Sequence, residues 1–125
     1  MSSRKGTVSV HEMALARDVL NTVVGAAEGS GAKEVRTVYM TIGSGRDIVN
    51  DLFEGLFSHL ARGTVAEKAA LAVTRVPIRV RCRRCGEVYP LNVYDAKTWD
   101  CPACAQKDYA LYSGMEFRID RIEVA

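Results

Sequence analysis

The chain has 125 residues, 48% of them hydrophobic and 7% aromatic, with 26% charged side chains and a formal net charge of +2. That length supports one domain, or one domain carrying a small module that a metal must hold together. The charge is too nearly balanced to point to nucleic acid by itself, and no apolar run approaches the roughly 18 residues of a membrane span.

Residues 1–9 are small, polar or basic, include Arg4, Lys5 and Gly6, and show no apolar period, so a flexible N-terminal extension is expected there. They carry no secretory leader pattern, which makes a cytoplasmic setting with reduced thiols the expectation. Leu15, Ala16, Val19, Leu20, Val23, Val24 and Ala27 then recur at three- and four-residue steps, predicting a helix from Val10 to Glu28 that Gly29, Ser30 and Gly31 end. Val35 to Ile42 predicts a strand with Val38, Met40 and Ile42 on one face. A second amphipathic helix is expected from Asp47, its N-cap, to Ala61, burying Ile48, Leu52, Phe53, Leu56, Phe57 and Leu60. His59 lies on that helix with no second ligand type four residues away and is given no role.

Ala70 to Arg81 predicts one long strand leading into Cys82, with Pro77 at an edge or bulge. Phe117, Ile119, Ile122 and Val124 predict a last strand from Glu116 to Val124 whose register breaks near Asp120 and Arg121. The four cysteines form two C-x2-C pairs, Cys82/Cys85 and Cys101/Cys104, with fifteen residues between them. Two thiolates on one tight turn can face one ion, and a connector of this length brings the second turn opposite the first, so the pattern predicts a structural zinc site. Two disulfides, or two unrelated redox motifs, are the alternatives. Val88, Leu91, Val93, Tyr94 and Trp99 are the expected core of the module from Cys82 to Tyr109. A closed site of four thiolates leaves no coordination position for substrate or water.

The expected fold class is therefore α/β (α+β), with two helices on a three-stranded sheet and an inserted four-cysteine zinc-ribbon-like module between the second and third strands. The expected domains are 10–80 with 114–125, and the module at 81–113. Arg75, Arg79, Arg81, Arg83 and Arg84 surround the first cysteine pair. They suit a basic docking surface for an acidic protein, a nucleic-acid site, or a solvated strand edge. No phosphate-cradling glycine loop is present, Ile42-Gly43-Ser44-Gly45-Arg46 fits neither nucleotide fingerprint, and no Ser/His/Asp or Cys/His constellation remains once zinc takes the thiols. The chain does not read as an enzyme.

The segment Val10-His11-Glu12-Met13-Ala14-Leu15-Ala16 resembles the Met-His-Glu start of the HypA/HybF family of nickel metallochaperones for [NiFe]-hydrogenase maturation. The similarity continues through Ile42-Gly43, the helix with Leu52, Phe53 and Phe57, and Arg62-Gly63-Thr64-Val65-Ala66-Glu67 up to Val76-Pro77. It then covers both cysteine pairs and Gly114-Met115-Glu116-Phe117-Arg118-Ile119. The resemblance implies a nickel-binding α/β domain joined to the zinc module, working with a HypB-type GTPase to load the hydrogenase large subunit, as a monomer or homodimer without nucleic acid or membrane. It implies Ni(II) at His11 and Glu12, and Zn(II) at Cys82, Cys85, Cys101 and Cys104. Imidazole nitrogen suits transient Ni(II), while soft thiolates retain Zn(II).

Ser9 and Glu12 also fit a capping box, which would make Glu12 a helix-start residue. The chain departs from the family in two places. Val10 stands where the family has its initiating methionine, and the expectation is a natural start at Val10, translated as methionine from an alternative valine codon. Ser44 stands where glutamate is common, leaving Asp47 or Asp51 as possible replacements. A zinc-ribbon module for nucleic-acid binding or protein interaction is the alternative function, and it gives His11 no task.

Overall fold

The computed structural model describes residues 10–125, so the N-terminal extension and the Ser9 half of the capping box lie outside the described residues. The elements are α1 (Val10–Gly29), β1 (Val35–Gly43), α2 (Asn50–Leu60), β2 (Ala70–Val76), β3 (Arg79–Cys82), β4 (Val88–Pro90), a short 3-10 turn (Ala96–Thr98), β5 (Tyr109–Ser113) and β6 (Phe117–Val124). The strands form two three-stranded sheets, ordered β2-β1-β6 and β4-β3-β5. The third strand of the first sheet thus follows the whole of the second sheet in sequence, as expected for an inserted module. Two compact units result, one of 10–40, Ile48–Val73 and Ile119–Ala125, the other of Thr41–Asp47 and Thr74–Arg118.

In the first unit, α1 buries Glu12, Ala16, Val19, Leu20, Val23 and Ala27, a single stripe at helical spacing, and packs against α2. The end of α1 is a left-handed cap. Gly31 at φ +75 lets its own N–H reach Glu28 O and the Ala32 N–H reach Ala27 O at 3.0 Å, closing the last carbonyls. On α2 the buried side chains are Phe53, Leu56 and Phe57, three on one face. That helix starts at Asn50 rather than at Asp47. Val49 is its N-cap, extended at ψ 120 and without a side-chain cap bond. Ile48 just ahead of it is buried, and 47–49 lies outside the helix where the predicted helix had its first turn.

β1 is the middle strand of its sheet and buries Val35, Val38, Met40 and Ile42. The expected strand Ala70 to Arg81 is two strands in two different sheets. Pro77 has no N–H to continue a ladder, so β2 stops at Val76. The Pro77 carbonyl instead accepts the Ser113 hydroxyl at 2.9 Å, and β3 begins at Arg79. β6 is one continuous strand whose half-buried positions, Phe117, Ile119 and Ile122, change phase between Asp120 and Arg121.

In the second unit the backbones of the Ile42-Gly43 and Gly114-Met115 segments touch. Gly43 N–H donates to Glu116 O and Gly45 N–H to Gly114 O, both at 2.7 Å, and a methyl on Gly43 would overlap the Gly114 carbonyl. Only glycine permits that approach. The core around the second sheet is Val80, Cys82, Tyr89 and Cys101, with Leu91, Cys104 and Tyr109 packed on it. This corrects the expected module core. Val93 and Tyr94 are exposed, Tyr94 at 94%, because Asn92–Trp99 is a loop closed on itself by polar bonds. Asn92 O accepts from Trp99 Nε1 at 2.9 Å and from Thr98 Oγ1 at 3.2 Å.

Candidate metal centre

The four thiols converge, all within 4.8 Å of one another. Cys82 Sγ lies 3.6 Å from Cys104 Sγ and Cys85 Sγ lies 3.5 Å from Cys101 Sγ. A tetrahedron of Zn–S bonds of about 2.3 Å has S–S edges of about 3.8 Å, so the cluster already has the span of one ion. Disulfides would need about 2.05 Å, and all four cysteines are free. That sets aside the disulfide alternative.

Each pair sits on a turn of the same design. Cys82 N–H donates to Glu87 O at 2.8 Å, Gly86 N–H returns to Cys82 O at 2.9 Å, and Arg84 N–H points at Cys82 Sγ at 3.4 Å. In the second turn Cys101 N–H donates to Gln106 O at 2.9 Å, Ala105 N–H returns to Cys101 O at 2.8 Å, and Ala103 N–H meets Cys101 Sγ at 3.4 Å. Gly86 and Ala105 close the turns at φ +82 and +62. Amides aimed at sulfur favour the thiolate over the thiol and so prepare the site for a cation. Glycine at 86 takes that conformation freely; the same demand at Ala105 had no sequence signal, because alanine does not advertise a left-handed residue. Sheet and loop then fix the two turns in place. Cys82 ends β3 opposite Tyr109 of β5, Arg83 pairs with Asp108 at 3.1 Å, and the buried Tyr89 hydroxyl donates to Trp99 O at 3.0 Å.

Metal-free, the thiols are electrostatically divided. Cys82 is pulled down to about 7, first by its backbone hydrogen bond at Cys85 and then by that from Arg84, against the effect of burial. At Cys85 the Glu87 amide pulls down, but the Cys101 thiol, burial and the Cys82 and Cys104 thiols outweigh it and push the group up to about 12. At Cys104 the Gln106 amide likewise pulls down and is outweighed by burial and by the Cys82 and Cys101 thiols, so this thiol also rises. Several thiolates cannot share this space without a cation, and a divalent ion supplies the compensation. Four ligands close the coordination shell, which excludes catalysis at that ion.

The other predicted ligands lie in the first unit. His11 and Glu12 are in the first turn of α1, His11 exposed and Glu12 only 2% exposed. Among the described residues the four cysteines are the one group of three or more His, Cys, Asp or Glu ligand atoms close enough to hold an ion, and His11 and Glu12 belong to no such group there. Asp51 is exposed on α2, and His59 is exposed near the end of that helix. Ser44 and Asp47 line a cleft of about 680 Å³ in the second unit, together with Arg46 and Tyr94.

These features define a mixed α/β metal-binding protein with a closed four-thiolate centre. Residues 10–124 match the family described as "Hydrogenase/urease nickel incorporation, metallochaperone, hypA". Hydrogenase maturation factor HypA of Dehalococcoides mccartyi strain CBDB1 is 32% identical over 115 residues, 92% of this chain and 94% of that protein. The HypA of Geobacter sulfurreducens is 33% identical over 115 residues, 92% of this chain and 99% of its own length. Two solution structures share the fold. One, of the Ni metallochaperone HypA from Helicobacter pylori, aligns with a TM-score of 0.61 at 20% identity over 90% of this chain and 96% of that one. The other, of a HypA protein, aligns at 0.71 and 22% identity over 94% and 98%. The chain belongs to the HypA family of hydrogenase maturation factors.

Proposed function

We propose that this protein carries Ni(II) at His11 and Glu12 and delivers it to the [NiFe]-hydrogenase large subunit, in concert with a HypB-type GTPase, while Zn(II) on Cys82, Cys85, Cys101 and Cys104 has a structural task. The observation that carries the reading is the separation of ligand types. An exposed imidazole opens the family-matched segment in the first unit, and the soft thiolates all gather in the second. Thiolates select Zn(II) and imidazole suits Ni(II), so two ions can be held with different lifetimes. By ligand type the domains are 10–80 with 114–125 for nickel and 81–113 for zinc, whereas the compact units place Thr41–Asp47, 74–80 and 114–118 with the thiolates. No turnover is assigned to either ion, and the working compartment is the cytoplasm.

Exposure ranks the two nickel ligands. His11 can meet an ion without rearrangement; Glu12 must first turn out of the core, so it contributes less and its loss costs less affinity. A nickel titration of zinc-loaded protein tests the reading. His11→Ala is expected to weaken nickel binding by at least tenfold and Glu12→Gln by less. Equal nickel affinities for the parent and His11→Ala would overturn it.

A further inference from the structure

The two edges of the β4-β3-β5 sheet are treated differently. β4 is three residues long and ends on Pro90, so it offers little to another strand. β5, Tyr109-Ala110-Leu111-Tyr112-Ser113, has five residues and no charge, proline or glycine, and among the described residues β3 is its one strand neighbour. Leu111 and Tyr112 on it are 57% and 51% exposed. Proteins ordinarily blunt such an edge with lysine, proline or a bulge turned away. Here there is a bulge, and it falls at the Ser113 end of the strand. Ser113 pairs with Arg79 and Leu111 with Val80, so Tyr112 is the extra residue, and its ring lies under the Arg81 guanidinium at 5.1 Å.

Arg79 and Arg81 alternate with the buried Val80 and Cys82, so both stand on the outer face of β3. Neither has an ion-pair partner among the described residues, whereas Arg83, next along the chain, is paired to Asp108. Arg81 leans toward the open edge through its contact with Tyr112. We propose that β5 receives an acidic, extended segment of a partner protein as a fourth strand, with its carboxylates facing Arg81 and Arg79. Main-chain bonds to the β5 edge supply the pairing, and the two arginines select for acid.

Charge separates this occupant from the others. A second copy pairing β5 to β5 would bring like-charged arginines together, and residues 1–9 hold Arg4 and Lys5 with no carboxylate. A nucleic acid would match the charge but has no use for the open strand edge.

The test uses zinc-loaded, nickel-free full-length protein, so its outcome is independent of the nickel reading. The probe is a fluorescein-labelled decapeptide of alternating threonine and glutamate, followed by anisotropy, with a threonine–lysine decapeptide and a dT oligonucleotide in parallel. The glutamate peptide is expected to bind with salt-sensitive affinity, and the lysine peptide not at all. The double variant Arg79→Gln/Arg81→Gln and the single variant Leu111→Glu should each weaken it at least tenfold. In the parent protein, added peptide should slow amide exchange at residues 110–112, a readout that needs no variant to fold. No binding, binding indifferent to the variants, or protection elsewhere would overturn the proposal. So would tighter binding of the oligonucleotide, or dimerisation that Leu111→Glu abolishes.

Discussion

Ala105 holds in the second cysteine turn the place that Gly86 holds in the first: each returns its N–H to the carbonyl of the leading cysteine, and each does so at positive φ. A left-handed conformation costs a non-glycine residue about 1 kcal/mol. Ala105→Gly should therefore stabilise the zinc-loaded protein by roughly 0.5–1 kcal/mol, and Gly86→Ala should destabilise it by about 1 kcal/mol or more. Denaturant midpoints of the zinc-loaded proteins check both, and opposite signs are the expected result.

Removing one thiolate should separate the units. Structural zinc is worth on the order of 10–16 kcal/mol in isolated peptides, and the second unit has only Val80 and Tyr89 as buried side chains beside Cys82 and Cys101 in its cluster. Cys101→Ser is expected to lose zinc and the amide dispersion of residues 79–113 while the signals of α1 and α2 persist. Unfolding of the whole chain in the same spectrum would contradict the proposed domain division.

The divided thiols predict proton release. Cys82 is lowered to about 7, so the stability it contributes to the metal-free fold is present above the ordinary thiol value and is lost as pH falls through 7. Cys85 is raised to about 12, so its contribution is present below the ordinary value and is lost as pH climbs through 12. At pH 7.5 zinc binding must strip protons from Cys85 and Cys104 at least, the two thiols that are pushed up. Calorimetry in buffers of different ionisation enthalpy should report two or more protons released per zinc, with affinity falling on acidification.

Gly43 and Gly114 make the fourth prediction. Their backbones are in contact, so Gly43→Ala forces main chain apart rather than a flexible side chain. A loss of about 2 kcal/mol or more is expected, on the scale of overpacked cores. Thermal unfolding measures it, and an unchanged midpoint would show that the segments part without cost.

Much of this architecture is legible in the chain because it follows from periodicity and spacing. The apolar stripe of α1, its stop at Gly29-Ser30-Gly31, the alternation of β1 and the two C-x2-C pairs all carry local signals that the folded chain keeps. What escaped the sequence depends on contacts distant along the chain. Pro77 can mark an edge or a change of sheet, and only the acceptance of Ser113 Oγ by its carbonyl and the pairing of β3 decide between them. Asp47 has the right chemistry for a cap, yet the helix begins three residues later, behind the buried Ile48 and the extended Val49. Val93 and Tyr94 look like core by hydrophobicity, whereas Tyr89 was taken into the core by its strand position and its bond to Trp99 O. The exposure of His11 beside the buried Glu12 is likewise a tertiary fact, set by which face of α1 is covered.

The central claim is that nickel and zinc occupy chemically different ligand sets, and X-ray absorption at both metal edges of protein loaded with one equivalent of each tests it most directly. The predicted zinc spectrum has four sulfur neighbours at about 2.3 Å. The predicted nickel spectrum has only nitrogen and oxygen neighbours with imidazole scattering, and that scattering is lost in His11→Ala. Sulfur in the nickel shell, or a nickel spectrum that His11→Ala leaves unchanged, would contradict the account.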